Sequence, residues 1–267
     1  MNRRLIVAAC AAASVLGAAD RASAQGVDLT LFTGRAFPVY DERLTLRPSI
    51  PSLPGVEITA PLSPELSADG GPVFGIALAV EAGVFGLEGR LDATDVGLDF
   101  TGARYELRGT QPPLQNVSAS VVAAAGTFDA DRISLLSLNA RLRTPGPIGV
   151  VVSGGLSYLP DIRITGSVPI GIQASGVALP IVNARLVLRA TPDQAEHRFG
   201  VNGGAGLRLG GRVALMAEAR VFYFREFELR FAADDGPELL DQLLDGVPAV
   251  NFTPVFVNAQ VGVVFRF

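Results

Sequence analysis

Hydrophobic and polar residues alternate with a period of two along much of this chain, the spacing of strands that present one apolar face. The last segment shows it most plainly. Val255, Val257, Ala259, Val261, Val263, Phe265 and Phe267 fall on one side, and Asn258, Gln260, Gly262 and Arg266 on the other. Elsewhere Leu87 and Leu91 oppose Glu88, Arg90 and Asp92, Leu136 to Leu142 oppose Asn139, Arg141 and Arg143, and Val213 to Tyr223 oppose Glu218 and Arg220. The pattern predicts eight strands, near residues 27–35, 73–81, 85–93, 132–143, 148–158, 198–209, 212–224 and 255–267.

The connections sort by length. Long ones of roughly 30 to 40 residues alternate with short ones that hold turn chemistry, at Gly83, Pro145-Gly146-Pro147 and Gly210-Gly211. One end of the sheet therefore has tight turns and the other carries every long loop. A β-sandwich also alternates, but its connections are not obliged to sort in this way. The expected fold is all-β: an eight-stranded antiparallel up-and-down transmembrane β-barrel with long extracellular loops, most strands being near the ~9–11 residues a tilted membrane strand needs. Val96 to Leu107 and Val182 to Ala190 leave two outcomes open, extension of the strands above a membrane or four further strands of a twelve-stranded barrel. Eight is favoured.

The N-terminus adds a compartment. Asn2-Arg3-Arg4, the apolar run Leu5 to Ala19 and the small-x-small site Ala22-Ser23-Ala24 have the layout of a secretory signal peptide, giving domains of 1–24 (signal) and 25–267 (barrel). Cys10 sits in a lipoprotein-like box, but too few apolar residues precede it for a normal signal core. Cleavage before Gln25 removes Cys10, Arg3, Arg4, Arg21 and Asp20, leaving 19 basic and 25 acidic residues, a net charge of −6. A mature chain without Cys excludes disulfide staples and thiolate metal sites, and this charge argues against nucleic acid as a partner. At 49 % hydrophobic and 18 % charged the chain is not disordered. The Gly and Pro residues that interrupt stretches such as Ile164 to Ala184 exclude spanning helices.

The alternating Val257 to Phe267, ending on an aromatic, and the hairpin Gly203 to Arg220 resemble the small outer-membrane β-barrel family of the OmpA barrel domain and OmpX. The resemblance covers roughly residues 25–267. It implies localisation in a bacterial outer membrane, contact with outer-membrane lipid, and recognition of Phe267, with Phe265, as the signal read by the barrel-assembly machinery. The chain departs from familiar members in having no Trp at its rims, so that Tyr158, Phe222 and Tyr223 must serve there. Ending at Phe267, it is expected to carry no peptidoglycan-binding domain after the barrel.

If the apolar face meets lipid, the lumen receives Asp28, Glu81, Glu88, Asp92 and Glu218 against Arg90, Arg141, Arg143, Arg208, Arg220 and Arg266. An eight-stranded interior is only wide enough for side chains, and buried charges persist when paired. A salt-bridged plug is therefore expected. Glycines in Gly200 to Gly211 lack the G-x-G-x-x-G spacing and a following helix, so they read as relief of crowding, not as a phosphate loop.

His197, the only His, is expected at the outer rim beside Glu196 and Asp193. The barrel deacylase pattern of a Ser two residues later fails at Phe199, and the sequence does not place Asp161, Asp234 or Asp235 opposite His197 as an omptin-like site would need. No catalytic residue, metal or cofactor is expected. Asp235 to Gly246 has the capping and periodicity of a short amphipathic helix in the fourth loop, and the Pro-rich first loop, from Pro48 to Pro72, should be extended. The expected function is non-enzymatic, an envelope-structural or adhesive barrel whose loops meet an unidentified extracellular ligand. The alternatives are a narrow or twelve-stranded pore and, less favoured, a lipid-modifying enzyme using His197.

Overall fold

The computed structural model describes residues 25–39, 41–42, 55–62, 65–112, 115–161, 164–175, 182–190, 196–234 and 249–267. The signal segment and the helix expected over 235–246 lie outside these residues. In chain order the strands are β1 (Gln25–Pro38), β2 (Asp41–Glu42), β3 (Val56–Leu62), β4 (Leu66–Ala82), β5 (Phe85–Phe100), β6 (Ala103–Gly109), β7 (Ser118–Ala123), β8 (Gly126–Arg143) and β9 (Ile148–Asp161). They continue with β10 (Ile164–Thr165), β11 (Val168–Ser175), β12 (Val182–Ala190), β13 (Glu196–Gly210), β14 (Val213–Phe224), β15 (Phe227–Asp234), β16 (Val250–Phe252) and β17 (Val255–Arg266).

Eight of them form the closed cycle β1-β17-β14-β13-β9-β8-β5-β4-β1, every neighbour antiparallel. The seam joins the two ends of the sequence: Leu29 lies opposite Phe265, and Phe267 and Val27 exchange backbone hydrogen bonds of 2.9 and 3.3 Å. Closure leaves no barrel edge to template pairing with another chain. Gly83, Gly146 and Gly210 in the three short turns take positive φ, the backbone that a tight hairpin demands and that only Gly adopts without strain.

The loops supply strands, of which only the two-residue β2 and β10 pair onto barrel strands, at β4 and β8. A second, seven-stranded sheet runs β3-β6-β7-β11-β12-β15-β16 and stands as a collar on the long-loop end. Each collar strand prolongs a barrel strand after a break. At the break between β5 and β6, Gly102 takes φ +96°, and at that between β14 and β15, Arg198 donates to the carbonyls of Arg225 and Glu226 at 2.9 and 2.8 Å. Val96 to Leu107 thus ends β5 and enters the collar, and Val182 to Ala190 is β12. The twelve-stranded alternative is overturned: Val96 to Phe100 prolongs β5 within the eight-stranded barrel, while β6 pairs with β3 and β7, and β12 with β11 and β15, in the collar sheet.

The outward face of the barrel is apolar from Phe85, Leu142 and Ile148 near the tight turns up to Leu91, Leu136 and Tyr223. From Phe85 to Ala93, about nine residues at ~3.4 Å and a tilt of about 40° make a belt ~23 Å tall. Above it Asp69, Asp99 and Asp129 are exposed on the same strands, so the outward face changes from apolar to acidic toward the collar.

Candidate functional site: a layered lumen beneath a polar collar

Strand β14 displays the layering in a single line. Its inward residues are Ala214, Met216, Glu218, Arg220, Phe222 and Phe224, all buried, while every intervening residue is exposed. A small apolar floor of Ala214, Met216 and Val264 lies near the tight turns, charge fills the middle, and aromatic side chains close the top.

The eleven charged residues expected in the lumen lie in one connected network. Toward the tight turns, Asp28 meets Arg208 at 2.5 Å and Arg141 at 3.7 Å, and Glu81 meets Arg143 at 2.8 Å, Arg266 at 3.3 Å and Arg141 at 3.7 Å. Higher up, Glu88 meets Arg220 at 3.1 Å, Glu218 meets Arg220 at 2.6 Å and Arg90 at 3.3 Å, and Arg90 meets Asp92 at 2.8 Å. Arg141 joins the two halves, since it also stands 3.7 Å from Glu88. Its three contacts exceed hydrogen-bond length, so Coulomb attraction holds it. Only Arg143 and Arg266 retain exposure, with side chains 11 % and 28 % accessible at the tight-turn mouth.

Neutral side chains complete the network, and these were not nominated from the sequence. Asn139 donates to Glu88 at 3.0 Å, Asn202 donates to Asn139 and Ser157 at 2.8 and 2.9 Å, Arg220 donates to Ser153 at 2.5 Å and to Asn202, and Arg90 donates to Gln260 at 2.5 Å. They share the inward parity of the charged residues, which is the signal that could have found them. The Arg90 guanidinium also lies 3.9 Å from the ring centre of Phe32, a cation–π contact worth about 2 kcal/mol when desolvated. Gly206 faces Glu218 so closely that a Cβ there would stand 3.0 Å from the Glu218 Cα. Crowding is thus the reason for glycine at this position.

The upper lumen corrects the expectation of a charge-filled interior. Phe100, Phe128, Phe222, Phe224, Phe231 and Phe256 form one buried cluster with Leu66, Leu98, Leu135, Leu159 and Leu229. Rings meet edge-on at 5.9 Å between Phe100 and Phe128, and stacked at 5.2 Å between Phe222 and Phe256. Phe222, expected at a rim, is an inward core residue. The cluster takes members from β4, β5, β8, β9, β14 and β17 below and from β6, β7, β11 and β15 above, and so fastens the collar onto the barrel.

His197 stands exposed at the outer rim, with φ +56°, its Nδ1 hydrogen-bonded to the Tyr158 hydroxyl and its ring stacked on Tyr158. Asp161 is in register with the neighbouring Glu196, whereas Asp234 lies at the far end of β15 opposite Arg185. Asp193 and Asp235 lie outside the described residues. No group of three His, Cys, Asp or Glu able to hold a metal occurs among the described residues. In the collar, burial raises the Tyr105 phenol above its usual pKa.

These features define a closed, eight-stranded antiparallel barrel with an apolar exterior and a filled lumen. No family model matches the chain, and no curated protein matches it. Among solved structures, the outer membrane protein OprG from Pseudomonas aeruginosa is 12 % identical with a TM-score of 0.43, over 91 % of this chain and 96 % of that one. A major outer membrane protein from Thermus thermophilus is 14 % identical with a TM-score of 0.38, over 90 % and 99 % of the two chains.

Proposed function

We propose that this chain is a non-enzymatic, self-plugged barrel of a bacterial outer membrane, exported by residues 1–24, which contributes to envelope integrity and presents its collar for recognition outside the cell. One observation carries the reading: a closed barrel with lipid-compatible side chains outside and, inside, a paired charge network capped by an aromatic core. A belt of exposed Leu, Val and Phe of this size on a water-soluble monomer would drive association, whereas in a bilayer it lowers the free energy by meeting acyl chains. The lumen charges are balanced and paired, as buried charge must be, and the phenylalanines above them have no polar partner to offer a permeating ion.

On the same reading Phe265 and Phe267 serve the assembly machinery. Phe267 is 79 % exposed at the closing seam, so its ring is free to be read while its backbone holds β1.

Single-channel recording of the mature chain in a planar bilayer tests the closed lumen. Verified insertion without current is the expected result. Stable, defined conductance steps would overturn the plug and make transport the function.

A further inference from the structure

The collar has a second, polar concavity on the face turned away from the aromatic core. Its position follows from strand parity: Ala103 and Tyr105 of β6 turn toward the core, and Arg104, Glu106 and Arg108 turn away. Cross-strand register then aligns Thr59, Glu106, Ser120 and Gln173 in one row over β3, β6, β7 and β11. The next row sets Glu57 opposite Arg108 and Arg108 opposite Ser118. The two rows lie in a cleft of about 550 Å³, within the usual size of a ligand site.

We propose that this cleft binds a neutral saccharide chain. The inference rests on the reading above in taking the collar to be extracellular. Two acids and two arginines line the cleft, so it has no net charge with which to capture an anion or a cation. Leu107 and Ala119 are its only apolar lining residues among those described, too little for a lipid tail or a hydrophobic peptide side chain. What the lining offers is closely spaced donors and acceptors: carboxylates that only accept, guanidiniums that only donate, and hydroxyls and an amide that do both.

A polyhydroxylated ring matches such a grid, because each hydroxyl can donate to one neighbour while accepting from another. Four strands at ~4.8 Å spacing give a row ~14 Å long, room for a di- or trisaccharide. The grid is also held in place. Arg104 pairs with Glu106 at 3.0 Å, both side chains remaining about half exposed, and the Thr59 hydroxyl donates to the Glu106 carbonyl at 3.4 Å. Side chains already fixed by such contacts lose less freedom on binding.

The test uses the whole mature chain in phosphatidylcholine nanodiscs. Saturation-transfer difference NMR with free maltohexaose, chitohexaose and xylohexaose reads free sugar. Hydrogen exchange at the β6 and β7 amides, in nanodiscs carrying lipopolysaccharide or its sugar-free lipid A, reads lipid-linked sugar. The expected result is transfer from at least one hexaose, or amide protection by lipopolysaccharide and not by lipid A, reduced at least tenfold in the double variant Glu106→Gln/Gln173→Ala. Glu228→Gln, on the collar outside the cleft, should leave the signal unchanged and show that the collar tolerates substitution. No signal in either arm, a signal that survives the double variant, or equal protection by lipid A would overturn the proposal. Conductance of the same preparation keeps the two readings apart: a silent barrel without sugar binding removes only the cleft, and a conducting barrel removes only the plug.

Discussion

Replacing Arg220 with Met would test whether the lumen network is a stabilising device or an incidental filling. Arg220 is fully buried and donates to Glu88, Glu218, Ser153 and Asn202. Met fills a similar volume, so the change removes charge and hydrogen bonds with little cavity. Loss of one partner from a buried ion pair costs about 3–5 kcal/mol. Here the value should lie at the lower end, because Glu88 retains Asn139 at 3.0 Å and Glu218 retains Arg90 at 3.3 Å. A loss of about 3 kcal/mol, or roughly 10²-fold in the folded ratio, is expected from urea unfolding in lipid vesicles followed by circular dichroism. Glu218→Leu alone should also destabilise, and the double variant should lose less than the sum, since the second change removes an acid already short of a partner. A loss below about 1 kcal/mol for Arg220→Met, or strictly additive losses around the cycle, would refute the coupling.

Two further expectations separate the other layers. Phe256→Ala should cost about 3–5 kcal/mol through the cavity it opens between Phe222 and Phe224 while leaving the bilayer silent, because the charged layer below is intact; ionic current in that variant would show that the aromatic layer is the seal. Phe267→Ala keeps the backbone bonds to Val27 and loses only the ring, so refolding into detergent should be unchanged while the amount inserted in cells falls. Normal insertion in cells would remove the assembly role.

The barrel was legible because a uniformly apolar outward face simplifies the sequence. Wherever one side of a strand meets an apolar belt and the other meets charge, the alternation is almost clean, as in Glu88, Arg90 and Asp92 against Leu87 and Leu91. The three tight turns were equally plain, since Gly and Pro mark them. Legibility failed where both sides are apolar. In Val221-Phe222-Tyr223-Phe224 and Val255-Phe256-Val257 the inward Phe residues lie between outward apolar ones, so parity alone cannot separate core from belt, and a rim position for Phe222 reads equally well. The collar was hidden for a different reason. Thr59, Glu106, Ser120 and Gln173 come from three separate loops, and only the pairing between those loops brings them into one row. Each alone reads as a solvated loop residue.

The lumen contacts also bear on when this protein becomes itself. Arg208 and Asp28 are 180 residues apart, Arg90 and Gln260 are 170 apart, and Arg220 and Glu88 are 132 apart. Such contacts form late, after a large loss of chain freedom. A partly built barrel, with its last strand still waiting, holds arginines and carboxylates without their partners and stays open to water. Only the meeting of the first and last strands lets these charges leave water together. The network is thus a record of completion written inside the wall, and a chain stalled one strand short is a wet, unlocked intermediate.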